Sequence, residues 1–322
     1  MFNWFYEVLG VPFGIVLSFF YNTVALENYA LAIILLTLFA RILMIPTSIS
    51  QQKGMAKTQR MQAKLRKIQT KYAGNQQKIQ EETTALYQRE GYNPMGAGCA
   101  PMAVQFLLLF GLIGAIYYPL SHSFGIPEEH IAIFADALKQ ITIEGVDVSK
   151  ISEFQQELYI IGYIDQIKEL VKGEELLGSI ETIKNINFEM LGLSLGDIPS
   201  SHKTPHVSWL IPVFSFISSM ATGLYTQMKQ KKTNPAAGNN AMMGCMTFGM
   251  PLISLIWVIN FPIGIGVYWI ASSIFGFIST VIIGYIYSPK KTMAKLMIDE
   301  TVERRSKENS IKAATEIKEK KN

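Results

Sequence analysis

Arg41 lies within the run YALAIILLTLFARILMIPTS, a charged side chain in an otherwise apolar segment. Its guanidinium stays protonated and offers five N–H donors in a planar fork, a shape that suits a carboxylate or a phosphate. On a helix rising 1.5 Å per residue, the seven residues from Arg41 to Ser48 place it about 10 Å inside the end of the segment. An arginine at the centre of a membrane span costs about 3 kcal/mol, so it faces protein, water or a partner charge. The plainer alternative is that its long stem snorkels to the headgroups. Thr37, Arg41 and Ser48 share one helical face, at i, i+4 and i+11.

Polar side chains recur at helical spacing in other apolar runs. Ser215, Ser219, Thr222 and Thr226 step by four, three and four, with Gln227 near their end. Tyr268, Ser272 and Ser279 share a face with Trp269 beside them, and Gln105 lies in a further run. Each stripe alone has a packing explanation, since small hydroxyl residues let helices approach and hydrogen-bond. Several stripes plus a cation, with no Asp or Glu in any of these runs, point to a hydrated, positively charged cavity. Its counter-ion would come from outside the protein, as an acidic group on a passing chain or a lipid phosphate. The candidate substrate-contacting set is Arg41, Thr37, Gln105, Ser215, Ser219, Thr222, Tyr268, Trp269 and Ser272.

No nucleophile, base and orienting acid are recognisable together and no Gly-rich Lys phosphate loop occurs, so neither an enzyme nor a cofactor site is expected. Cys99 and Cys245 lie at or inside apolar runs without metal-ligand spacing and read as packing residues. His122, His130, His202 and His206 all fall in one loop region. The last two have the i, i+4 spacing that binds metal on a helix, but no third ligand accompanies them in the sequence. They read as surface histidines, and no metal site is assigned.

The elements that must position these residues follow from hydropathy. Of 322 residues, 49% are hydrophobic and 17% charged, against roughly a quarter charged in soluble domains. Mean hydropathy is +0.22. Five runs are long enough to cross a hydrocarbon layer about 30 Å thick, at 29–48, 99–120, 207–228, 241–259 and 263–287. Residues 1–28 carry no basic start and no small-residue cleavage site, and read as an amphipathic helix lying in the interface, with a sixth span as the alternative. Residues 49–98 form a basic helical hairpin: Met61, Leu65, Ile68 and Tyr72 make one apolar edge, Gly74 and Asn75 a turn, and Ile79, Leu86 and Tyr87 a second edge. The connection 229–240 and the tail 288–322 are also basic. By the positive-inside rule all three are cytoplasmic, giving an external N-terminus, five spans and a cytoplasmic C-terminus. The long segment 121–206 is then external, with Phe154, Leu158, Ile161, Ile164, Ile167 and Leu170 marking amphipathic helices of a small cap.

The run IILLTLFARILMIPTSISQQKGMAKTQRMQAKLRKIQTKY, the later NPMGAGCAPMAVQ and INFPIGIGVYWIASSIF resemble the corresponding blocks of the YidC family of membrane protein insertases. The resemblance covers roughly 21–121 and 207–291. It implies an all-α integral membrane protein with five transmembrane helices around a hydrophilic groove, open to the cytoplasm and lipid and closed outside. It also implies that Arg41 projects into the groove, that Thr37 matches the threonine one turn earlier, and that Trp269 matches the aromatic lining it. The expected partners are nascent membrane proteins, membrane lipids, the Sec translocon, and, through the hairpin and basic tail, the ribosome and targeting machinery. Sequence-specific nucleic acid binding is not expected. The expected location is a bacterial plasma membrane.

Three features depart from the family pattern. The usual Asn-Pro-Leu-Gly-Gly-Cys block is one residue longer here, from Asn93 to Cys99; the third run matches loosely after Pro212; and the external segment is longer than in five-span members. The rival reading from another class is a small secondary transporter or channel that binds an anionic solute at Arg41. Such folds often carry inverted repeats, and none is recognisable. An intramembrane protease would need paired catalytic groups inside the runs, which hold neither acids nor histidines.

Overall fold

The computed structural model describes residues 3–90, 94–143, 147–202, 206–233, 241–287, 294–295, 297–298 and 301–311, with the side chains of 94–105 and 241–247 among those outside the description. The chain forms two compact units, one of Met1–Met44 with Ala103–Ile278, the other of Ile45–Met102 with Ser279–Asn322.

In the first unit, α1 (Asn3–Thr23) and α2 (Tyr29–Leu43) pack together. The described part of α1 buries Leu17 and Tyr21 and turns Val8, Val11, Ile15 and Phe19 outward, so its outer face is apolar rather than polar. Asn28 caps α2 by accepting the Leu31 amide at 2.9 Å, satisfying one of the donors that a helix start leaves free. Against the expectation of one continuous run to Ser48, α2 ends at Leu43, with Met44 as its C-cap. The cause is Pro46, which has no N–H for the Ile42 carbonyl and whose ring crowds it. Pro46 is instead accommodated at the second position of the next helix, where a missing N–H costs nothing. Ser48 therefore lies on the next helix, in the other unit.

Helix α3 (Ile45–Lys71) and helix α4 (Gln76–Arg89) are the expected hairpin of the second unit. Gly74 takes a φ of +88°, a conformation costly for other residues, and Asn75 caps α4 by accepting the Lys78 amide. Lys64 pairs with Glu90, and the Tyr72 hydroxyl donates to Glu82 at 3.3 Å. Both pairs are centred on Gln77, which fixes the antiparallel register. Met61 is buried and Leu65, Ile68, Tyr72, Ile79, Leu86 and Tyr87 are half-buried, as their spacing required.

Back in the first unit, α5 (Pro94–Tyr117) leads through α6 (Pro119–His122) to α7 (Glu128–Leu138), α8 (Gln156–Leu170) and α9 (Leu177–Lys184), then a two-residue-per-strand hairpin of β1 (Glu189–Met190) and β2 (Leu193–Ser194). Leu158, Ile161, Ile164 and Ile167 are buried as expected, whereas Leu170, in the last turn of α8, is 46% exposed. Phe134, Ile160, Leu176 and Ile183 complete this core, which is continuous with that of α2 and α5. Two seams join the region to neighbouring helices. The Tyr29 amide donates to the Asn187 carbonyl at 3.1 Å, and the Ile263 and Gly264 amides donate to Asp197 and Leu195 carbonyls, each at 2.8 Å. The unit is completed by α10 (Leu210–Thr233), α11 (Ala241–Asn260) and most of α12 (Ile263–Ile286). A Cβ on Gly266 would sit 2.4 Å from Ile211, so a glycine is required where α12 meets the start of α10.

Among the described residues, Val207–Lys229 and Ile263–Ile286 are long and apolar enough to cross a membrane, and Tyr29–Leu43 with Ile45–Gln52 makes a third if the pair is one broken span. The described apolar parts of the other two expected spans are Phe106–Tyr117 and Pro251–Asn260.

Glu157 is a buried acid that ties α8 to α6. It accepts from the Leu120 amide at 2.7 Å, the Ser121 amide at 3.2 Å and the Ser121 hydroxyl at 2.8 Å. It thereby caps α6, whose own Tyr118 makes no side-chain cap. Burial pushes its carboxyl from 4.5 up to about 7, against the opposing pull of those donors. Because the folded value is raised, the fold binds a proton between these limits that the unfolded chain has released. Stability from this group is therefore full below pH 4.5 and falls as pH rises through 7, by on the order of 3 kcal/mol. Thermal melts in detergent should show Glu157→Gln losing this pH dependence, while Glu157→Ala, which orphans two amides, melts lower at every pH.

Candidate functional site

Helix α2 carries Thr37 and Arg41 one turn apart, and α12 carries Tyr268, Ser272 and Gly276 one turn apart. The two rows meet. Arg41 donates from a terminal guanidinium nitrogen to the Ser272 hydroxyl. A Cβ placed on Gly276 would lie 3.6–3.7 Å from the guanidinium atoms, so the cation rests over a stretch of α12 with no side chain in the way. Arg41 is half-buried, and among the described residues no carboxylate pairs with it.

The neighbouring groups are unequal. Thr37, Tyr268 and Ser272 are buried, at 1%, 6% and 7% exposure, and the Thr37 hydroxyl is returned to the Ile33 carbonyl of its own helix at 2.7 Å. Trp269 is half-buried and packs edge-on to Trp257 of α11 at 6.2 Å, with Tyr268 at the same distance.

The α10 stripe faces another side of α12. Ser219 and Ser273 hydroxyls lie 3.0 Å apart, and Thr222 donates to the Ser218 carbonyl at 3.0 Å and towards that of Ser273 at 3.4 Å. Ser215 is fully buried, and its hydroxyl has no hydrogen-bond partner among the described residues. Two polar clusters therefore flank adjacent faces of α12: Arg41 with Ser272, and Ser219 and Thr222 with Ser273. Gln105 falls in the part of α5 whose side chains lie outside the described residues.

Ser273 and Gly276 were not singled out in the sequence. Gly276 continues the Tyr268–Ser272 row by four residues, a signal that an apolar glycine does not announce. Ser273 adjoins Ser272 but points about 100° away around the helix, so a one-face reading passes over it.

Residues 19–291 match the family model described as 60Kd inner membrane protein. Among curated proteins, the chain is 26% identical over 274 residues to the membrane protein insertase YidC 2 of Bacillus anthracis, covering 84% of this chain and 77% of that one. It is 45% identical over 94 residues to the membrane protein insertase YidC of Oceanobacillus iheyensis, 28% of this chain and 37% of that one. Over 112 residues it is 38% identical to the membrane protein insertase YidC of Syntrophus aciditrophicus, 35% of this chain and 20% of that one. The last two alignments thus span well under half the length of the relatives they match.

Substitutions at Gly276 and Ser215 test this geometry. Gly276→Ala adds a Cβ at ordinary contact distance and should leave melting temperature and activity near wild type. Gly276→Val should displace the guanidinium and lower activity with little loss of melting temperature. Removing the partnerless hydroxyl in Ser215→Ala should leave stability unchanged or raise it by about 1 kcal/mol; a clear drop would mean that the hydroxyl is solvated in the membrane.

Proposed function

Because the chain belongs to the 60Kd inner membrane protein family, whose matched relatives are named YidC membrane protein insertases, we propose that it inserts nascent membrane proteins into a bacterial plasma membrane. The observation that carries this reading is Arg41, a half-buried cation in an apolar helix, engaged by a neutral hydroxyl and with no described acid beside it. A buried charge so placed is available to a partner charge that arrives with the substrate.

In this mechanism the short polar tail of a client enters a groove lined by Arg41, Trp269, Ser219 and Thr222, the members of the candidate set that are half-buried rather than enclosed. Pairing with Arg41 offsets part of the cost of stripping water from an acidic tail. Two opposite charges 4 Å apart attract by about 4 kcal/mol at an effective dielectric of 20, enough to matter against a desolvation cost of several kcal/mol per ion. The client's apolar segment meanwhile leaves along the outward faces of α10 and α12, where Val213, Phe214, Ile217, Ile274 and Ile278 are exposed. Transfer of that segment into lipid supplies the driving force, so the protein itself needs no bond-making chemistry.

The topology that accompanies this reading has five spans, an external N-terminus, and a cytoplasmic hairpin and tail. The basic surface of α3 and of the segment after α12 suits contact with the ribosome, targeting machinery and anionic lipid heads, and the Sec translocon is a further partner on this reading.

Purified protein in vesicles separates the alternatives. Arg41→Ala should slow insertion of a single-span client with an acidic tail by about tenfold or more, equivalent to about 1.4 kcal/mol, and Arg41→Lys should largely restore it. Undiminished insertion by the alanine variant would remove the electrostatic role, and anion flux without insertion would favour a transporter.

A further inference from the structure

Away from the Arg41 site, the region between α5 and α10 brings together three side chains of metal-ligand type. His202 Nε2 lies 2.9 Å from each carboxylate oxygen of Asp197. His206 Nδ1 lies 4.0 Å from Asp197 Oδ2, and the two imidazoles stack with centroids 4.0 Å apart and planes 17° from parallel. One ligand atom from each residue lies within 4.8 Å of the others. The third ligand that the His202–His206 spacing lacked in sequence is therefore supplied by Asp197, five residues before His202.

The distances are close to those a metal needs. Tetrahedral bonds of about 2.0–2.2 Å hold ligand atoms about 3.3 Å apart, so both Asp197 edges must change by under about 1 Å. The rings must also pivot out of their stack to aim their lone pairs at one point. His206 has room to do so, since its side chain is 42% exposed. Its Nδ1 now accepts from the Ser208 amide at 3.3 Å and lies 2.9 Å from the Ser208 hydroxyl, contacts that an ion would displace. Asp197 and His202 keep 22% and 31% of their side-chain surface exposed, leaving a path for an ion and a position for water.

Charge and anchoring favour a cation. With neutral imidazoles the trio carries one negative charge, and residues 121–206 hold fourteen acidic side chains against six lysines. Asp197 is fixed by its backbone, its amide donating to Ser194 at 3.1 Å and its carbonyl accepting the first amide of α12. His206 immediately precedes the turn of Val207–Trp209 that opens α10.

We propose that Asp197, His202 and His206 bind a borderline divalent transition-metal ion, with Zn2+ as the type, clipping the segment that enters α10 to the loop that caps α12. Two imidazoles and one carboxylate with an open position are a donor set for this class of ion. The site is independent of the insertase reading and is tested without activity.

The full chain in detergent, stripped with a chelator, should bind one equivalent of Co2+ with the intense visible absorption of a four-coordinate site, and Zn2+ should displace it. Zn2+ should also raise the melting temperature, as any ligand of the folded state alone does. His206→Ala and His202→Ala, with unchanged far-UV circular dichroism, should each weaken Co2+ binding by about tenfold or more and lose the Zn2+ shift. Arg41→Ala should retain both. No Co2+ spectrum and no Zn2+ shift in the wild type would overturn the proposal, as would either signal surviving undiminished in both histidine variants.

Discussion

The bond between Arg41 and Ser272 joins the most expensive side chain of an apolar helix to α12, which also bonds Ser219 and Thr222 through Ser273. A guanidinium removed from water needs acceptors, and a single serine hydroxyl satisfies one of its five donors. Its seat over Gly276 brings it against α12 without a side chain between them. The arrangement orients the charge without setting a described carboxylate beside it, unlike a structural ion pair.

That geometry depends on α12 being held firmly at its start. Leu195 and Asp197 take up two of its first amides, and Gly266 lets α10 approach within contact of the helix backbone. Further along, Ser272 serves Arg41 while Ser273 serves Ser219 and Thr222. The region of α6 to α9, which shares its apolar core with α2 and α5 and carries the Glu157 cap on α6, is thus continuous with the frame that positions Arg41. Asp197 meets α12 directly, through the backbone hydrogen bond that its carbonyl accepts from Ile263.

Much of this was legible in the chain. Gly74 and Asn75 marked the hairpin turn because only particular residues tolerate a positive φ or cap a helix there, and the apolar edges of α3 and α4 followed from period alone. Arg41, Ser272 and the α10 stripe stood out as polar groups in apolar runs. Four features did not. The break at Met44 came from Pro46, a residue plainly visible but outweighed by the length of the apolar run. The Glu157 cap on α6 joins residues 36 and 37 apart and has no local signal, while Asp197, five residues before His202, lies outside the i, i+4 helical spacing by which the two histidines are read. Ser273 was hidden by reading α12 as having one functional face, when neighbouring helices draw on two.

The most direct test of Arg41 as the partner of a client's acid is a double-mutant cycle across the two molecules. Insertion rates into vesicles would be measured for wild type and Arg41→Ala, each with clients carrying no, one or two acidic residues in the translocated tail. The expected result is a wild-type advantage that grows with each acid and shrinks towards none for the neutral tail. An advantage of the same size for all three clients would contradict pairing and reduce Arg41 to a residue of the fold.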